Sequence, residues 1–124
     1  MDSRIKEILD SSKIIVFDID GVLSQPFYQL NGRMVQGTSL LDDDACLSWI
    51  KYCIRNEDSY KYCTAPLVMQ NLVNSYGKEK DLYALTTEHS SFALYDKIKF
   101  LNKYYGDSFE GRRHFVDKDC YKVP

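Results

Sequence analysis

The stretch Lys13-Ile14-Ile15-Val16-Phe17-Asp18-Ile19-Asp20-Gly21-Val22-Leu23-Ser24 constrains this chain more than any other. Four β-branched or aromatic residues run straight into two aspartates, one residue apart, and then a glycine. A continuous run such as Lys13 to Phe17 predicts a strand buried on both faces, as in a parallel sheet. Parallel strands need crossover connections, usually helical, so the run points to an α/β chain. The two carboxylates that follow repel each other unless a cation or a shared proton intervenes.

The rest of the chain agrees with that class. Residues 2–11 predict a short amphipathic helix with Ile5, Ile8 and Leu9 on one face. In PFYQLNGRMVQG, Asn31-Gly32 lies between two short arms, the strongest local hairpin signal, so a hairpin is expected at about residues 27–36. Asp42-Asp43-Asp44 precedes Ala45, Trp49, Ile50 and Cys53, a helix with acids at its N-terminus. Segment 56–63 reads as a polar, tyrosine-rich loop. A second helix runs from Thr64-Ala65-Pro66 to about Tyr76, with Thr64 as N-cap and Gly77 as its stop. Leu82 to Leu85 predicts a strand ending at Thr86-Thr87. Ser90 or Ser91 opens a helix carrying Phe92, Leu94, Tyr95, Ile98 and Leu101, closed by Gly106, and His114 to Val116 is a last short strand. Strand, helix, strand, helix, strand is the rhythm of a parallel sheet. Ligands of such sheets bind beyond the C-terminal strand ends, where Asp18 and Thr86 fall.

Length and charge exclude several classes. With 124 residues the chain holds one small domain, and a formal charge of −2 makes no case for nucleic acid or an anionic membrane. Arg112-Arg113 is too short for a binding patch. No apolar run is long enough to span a bilayer, and MDSRIKEILD does not resemble a secretory leader, so the expected location is the cytoplasm. Cys46, Cys53, Cys63 and Cys120 form no C-x-x-C pair, so no zinc site is expected. Cys46 and Cys53 are expected to face one core as free thiols.

The acid pair permits specific chemistry. A hard cation such as Mg²⁺ takes oxygen ligands and keeps a phosphate in its shell. An ionised aspartate can be a nucleophile toward phosphorus, and a second can serve as general acid and base. Gly21 lets backbone N–H groups turn toward a phosphate. A calcium loop would need an acid at Val16 and a glutamate at Phe27, and both are wrong.

VFDIDGVL resembles motif I of the haloacid dehalogenase (HAD) superfamily, an apolar strand followed by D-x-D-G-[VT]-[LI]. The hairpin after it resembles that family's flap, and LYALTT resembles motif II, a strand ending in Thr or Ser. The resemblance covers essentially the whole chain. It implies a Rossmann-like three-layer α/β fold with a parallel sheet, a flap hairpin and at most a small helical cap within residues 38–81. It implies a Mg²⁺-dependent phosphatase that passes through an aspartyl-phosphate on a small phosphorylated substrate. Asp18 would be the nucleophile and a Mg²⁺ ligand. Asp20 would be the general acid and base, with its carbonyl on Mg²⁺. Thr86 would bind a phosphoryl oxygen, and Gly21 and Thr87 would contact substrate. A charge-offsetting lysine is expected at Lys122, with Lys118 second. The second aspartate marks the family's phosphatases, since its dehalogenases lack it.

One family element has no clear counterpart. Motif IV, a later strand ending in acids that complete the Mg²⁺ site, is matched only by Phe115-Val116-Asp117-Lys118-Asp119, which comes soon after motif II. The expectation is therefore an N-terminal portion of a longer HAD protein, associating with itself through an exposed sheet edge. Two other classes compete: a catalytically incomplete HAD-like fragment acting as a binding or assembly module, and a receiver-type phosphoacceptor domain. The Asn31-Gly32 hairpin argues against the second, since no hairpin follows the first strand there. Tyr60, Tyr62 and Tyr76 are expected to pack with their hydroxyls exposed, and His89 to be a loop side chain near the site.

Overall fold

The computed structural model describes residues 2–37, 43–87, 91–110 and 112–116. Among them the chain is mixed α/β. Helix α1 (Ser3–Ser11) leads into strand β1 (Ile14–Phe17). A hairpin of β2 (Phe27–Leu30) and β3 (Arg33–Gln36) follows. Then come α2 (Asp43–Arg55), α3 (Leu67–Tyr76), β4 (Asp81–Thr87), α4 (Ser91–Tyr105) and β5 (Arg113–Val116).

The three-stranded sheet has the order β1-β4-β5, and both pairings are parallel. Ile15 lies beside Leu82 and Phe17 beside Ala84, and these four side chains belong to the core. Ala93, Phe100, Leu101 and Tyr105 of α4 belong to the same core. Phe109, just after α4, meets Phe17 edge to face at 5.9 Å. Both α2 and α3 pack against α4.

The hairpin forms where the sequence places it. Asn31 and Gly32 take φ of +52° and +77°, the left-handed pair that a two-residue turn needs between twisted strands. Its inner side chain, Tyr28, is buried against Trp49 and Tyr52 of α2. The hairpin is thereby fixed to a helix rather than left as a free arm.

Three local expectations are corrected. Strand β1 is not buried on both faces: Ile14 and Val16 are 56% and 55% exposed, while Ile15 and Phe17 are buried. Alternation comes from what covers each face, and an all-apolar run carries no record of that. Thr64 does not cap α3, which starts at Leu67 with Pro66 at its N-cap and no side-chain cap. Thr64 instead exchanges backbone hydrogen bonds with Gln25, at 2.7 and 3.2 Å, and so ties the segment before α3 to the turn after β1. Tyr60 is buried, its hydroxyl on Asp20 rather than exposed, whereas Tyr76 keeps its hydroxyl at the surface, where it donates to Asp10. Gly77 does end α3, as expected, and no described helix is long and apolar enough to cross a membrane.

Candidate active site

The turn after β1 places both aspartates at its C-terminal end. Gly21 adopts φ of +83°, a conformation costly for a residue with a Cβ. That turn lets the Gly21 N–H reach the Ser24 carbonyl at 2.8 Å, and the Ser24 N–H closes back on Ile19 at 2.8 Å. Ile19 and Leu23 point into the core and anchor the loop from beneath. The buried Tyr105 donates its hydroxyl to the Leu23 carbonyl at 2.5 Å and fixes the loop to the end of α4. Asp18 is left exposed, with one carboxylate oxygen accepting the Ile19 N–H at 2.7 Å.

Asp20 sits deeper, its side chain 18% exposed. Each of its carboxylate oxygens has a partner. The Tyr60 hydroxyl donates to Oδ1, and the Lys97 ammonium lies 3.8 Å from Oδ2. Lys97 also donates to the Thr86 hydroxyl at 2.9 Å. Thr86 is buried at the end of β4, the strand paired with β1, so the two strand ends meet through one lysine. The structure thus brings Asp18, Asp20 and Thr86 to one end of the sheet, as the sequence predicts.

Lys97 and Tyr60 were not foreseen as parts of this cluster. Lys97 is 1% exposed. A buried ammonium is costly unless paired, and here a carboxylate and a hydroxyl meet it. A signal for it does exist in the sequence. Ala93, Lys97, Leu101 and Tyr105 recur every fourth residue along α4 and all are buried, so the lysine lies on the helix's apolar stripe. Lys122 and Lys118, with Asp117, Asp119, His89 and Cys120, lie outside the described residues; so does the Thr87 side chain.

The loop 56–63 that carries Tyr60 is itself held. The buried Asp96 carboxylate accepts both the Ser59 N–H at 3.0 Å and the Ser59 hydroxyl at 3.2 Å. The Tyr60 ring stands edge-on to Trp49 at 5.4 Å and tilted on Phe100 at 5.8 Å. Burial, with the nearby Asp20 charge, pushes the Tyr60 hydroxyl well above its ordinary value, so it keeps its proton. Cys53 and Cys63 are buried free thiols, each pushed up to about 12, chiefly by burial.

Magnesium or a similar hard cation takes oxygen donors. The exposed Asp18 carboxylate is a donor of that kind, whereas the Asp20 carboxylate is engaged by Tyr60 and Lys97. Among the described residues no group of three or more metal-ligating side chains converges. A cation held here would take water and phosphate oxygens for its remaining positions.

Compared with protein-family models, curated proteins and solved structures, the chain matches none.

Proposed function

We propose that this chain is a Mg²⁺-dependent phosphohydrolase of the HAD type, acting on a small phosphate monoester through an aspartyl-phosphate. The observation that carries the reading is the desolvated Lys97 ammonium between Thr86 Oγ1 and Asp20 Oδ2, at the strand ends where Asp18 is exposed. A buried cation beside an exposed carboxylate favours a phosphoryl group, whose charge it offsets without solvent reorganisation. The parallel order β1-β4-β5 and the hairpin after the acid turn also support a three-layer fold of that family.

In this reading Asp18 attacks phosphorus and the bond from phosphorus to the ester oxygen breaks. Asp20 gives its proton to the leaving oxygen. Asp20 then takes a proton from water, whose oxygen attacks the phosphorus of the aspartyl-phosphate. The bond from phosphorus to Asp18 breaks, releasing inorganic phosphate and restoring the carboxylate. Thr86 and Lys97 hold the phosphoryl oxygens throughout. Mg²⁺ on the Asp18 carboxylate and the Asp20 carbonyl would draw charge from the phosphoryl group.

The test is Mg²⁺-dependent hydrolysis of p-nitrophenyl phosphate, with Asp18→Asn as control. Loss of activity in that variant, by about a thousandfold or more, is the expected result for removal of a covalent nucleophile. Equal rates with and without the carboxylate would end the phosphatase reading. The fragment-type alternative, a binding or assembly module, would then stand.

A further inference from the structure

Tyr60 comes from a loop that the acid turn does not predict, yet it reaches Asp20 across 40 positions of sequence. The residue is held at its neighbour, its ring and its hydroxyl. Asp96 anchors the preceding residue through two hydrogen bonds, Trp49 and Phe100 fix the ring, and Asp20 Oδ1 accepts the proton. The opposite oxygen, Oδ2, faces Lys97 and Thr86. With Oδ1 taken by the Tyr60 hydroxyl, Oδ2 is the oxygen turned toward the phosphoryl subsite.

We propose that Tyr60 is a positioning residue for Asp20: it fixes the carboxyl plane and turns Oδ2 toward Lys97 and Thr86, so that proton exchange with the leaving group runs through that oxygen. This rests on the reading of Asp20 as general acid. The Asp96–Ser59 contact belongs to the same device, because it sets the height of Tyr60 on α4. The loop 56–63 therefore couples the α2–α3 region to the proton-transfer step without touching substrate.

Two measurements separate this proposal from the reading it rests on. The first compares Tyr60→Phe with the native protein on phenyl phosphate and on p-nitrophenyl phosphate. Phenolate leaves poorly without a proton, whereas p-nitrophenolate needs less help. Mispositioned acid should lower kcat for phenyl phosphate by roughly tenfold or more, and for p-nitrophenyl phosphate much less, with KM little changed in either case. Equal losses on both esters would mean a merely structural role and would overturn the proposal.

The second measurement needs no activity. In protein labelled with ¹³C at tyrosine Cζ, the Tyr60 signal at one fixed pH should differ between the native chain and Asp20→Asn, because its acceptor changes from a carboxyl to an amide oxygen. A Tyr60 signal that ignores the substitution would overturn the proposal even in an active enzyme. A signal that follows Asp20 in a protein inactive on both esters would keep the Tyr60–Asp20 coupling and remove the phosphatase reading instead. That comparison also decides the matter should Tyr60→Phe fail to fold.

Discussion

Helices α1 and α4 make opposite use of similar residues. Each carries a lysine near an aspartate and a row of apolar side chains. In α1 no residue is buried, and Ile5 and Ile8 are exposed. In α4 Ala93, Asp96, Lys97, Phe100, Leu101 and Tyr105 are all buried. Lys6 of α1 bonds Asp10 at 2.7 Å in solvent, whereas Lys97 of α4 meets Asp20 and Thr86 in the interior. The same charge pairing is nearly without consequence in water and demanding in a core. Charge matters to this protein where the fold has first removed the water, and every described site residue that sequence left unseen comes from that side.

The contrast is broken most directly by cutting the two apolar rows. Leu101→Ala should lower stability by about 2–5 kcal/mol, since Leu101 is fully buried and the hole cannot collapse completely. Ile8→Ala, at a residue 64% exposed, should change stability by no more than about 0.5 kcal/mol. Denaturant unfolding followed by fluorescence of Trp49, the single tryptophan, measures both. Equal effects would mean that α1 is covered as α4 is.

A second test uses pH on the packed side alone. Cys53 and Cys63 hold their protons up to about 12 when folded, against an ordinary value of 9.0. The unfolded chain loses those protons first, so the thiols contribute their full stability below about pH 9. That contribution falls as pH climbs toward 12. Tyr60 and Tyr105, whose hydroxyls burial also pushes up, act in the same direction. The denaturation midpoint should therefore decline on the alkaline side, and less so in Cys53→Ala/Cys63→Ala. A decline of the same size in the double variant would assign the alkaline loss elsewhere. The folded thiols should also resist thiol reagents at neutral pH, because the reactive thiolate is scarce and buried.

What sequence could and could not show follows the same division. Asp18, Asp20 and Gly21 are legible because one strand and one turn carry them, and the Asn31-Gly32 hairpin because two residues decide it. Thr86 is legible as the end of an apolar strand. Tyr60 reads as one of several loop tyrosines, since nothing nearby records that Asp96 will pull its neighbour onto α4. Lys97 reads as one of three lysines in α4 until the buried stripe is counted against it. The exposed outer face of β1 is invisible for the same reason: coverage is decided by distant chain, and the run Ile14 to Phe17 is apolar either way.

The smallest effect is expected at the surface pair of α1. Hydrogen bonding to Lys6, and then to Tyr76, holds the Asp10 carboxyl below its ordinary range. A lowered carboxylate contributes stability above its unfolded value and loses it as pH falls through the folded one, so any effect of Asp10 is present at neutral pH. Both members of the pair are solvent-exposed, however, and water and salt screen what they gain. Asp10→Asn should leave the denaturation midpoint at neutral pH unchanged within error, with and without added salt. The amide can still accept from the Tyr76 hydroxyl, and Lys80 still reaches the Asp10 and Ser12 carbonyls at 2.7 and 2.5 Å. A clear loss in that variant would show that the Lys6–Asp10 charge pair itself holds α1.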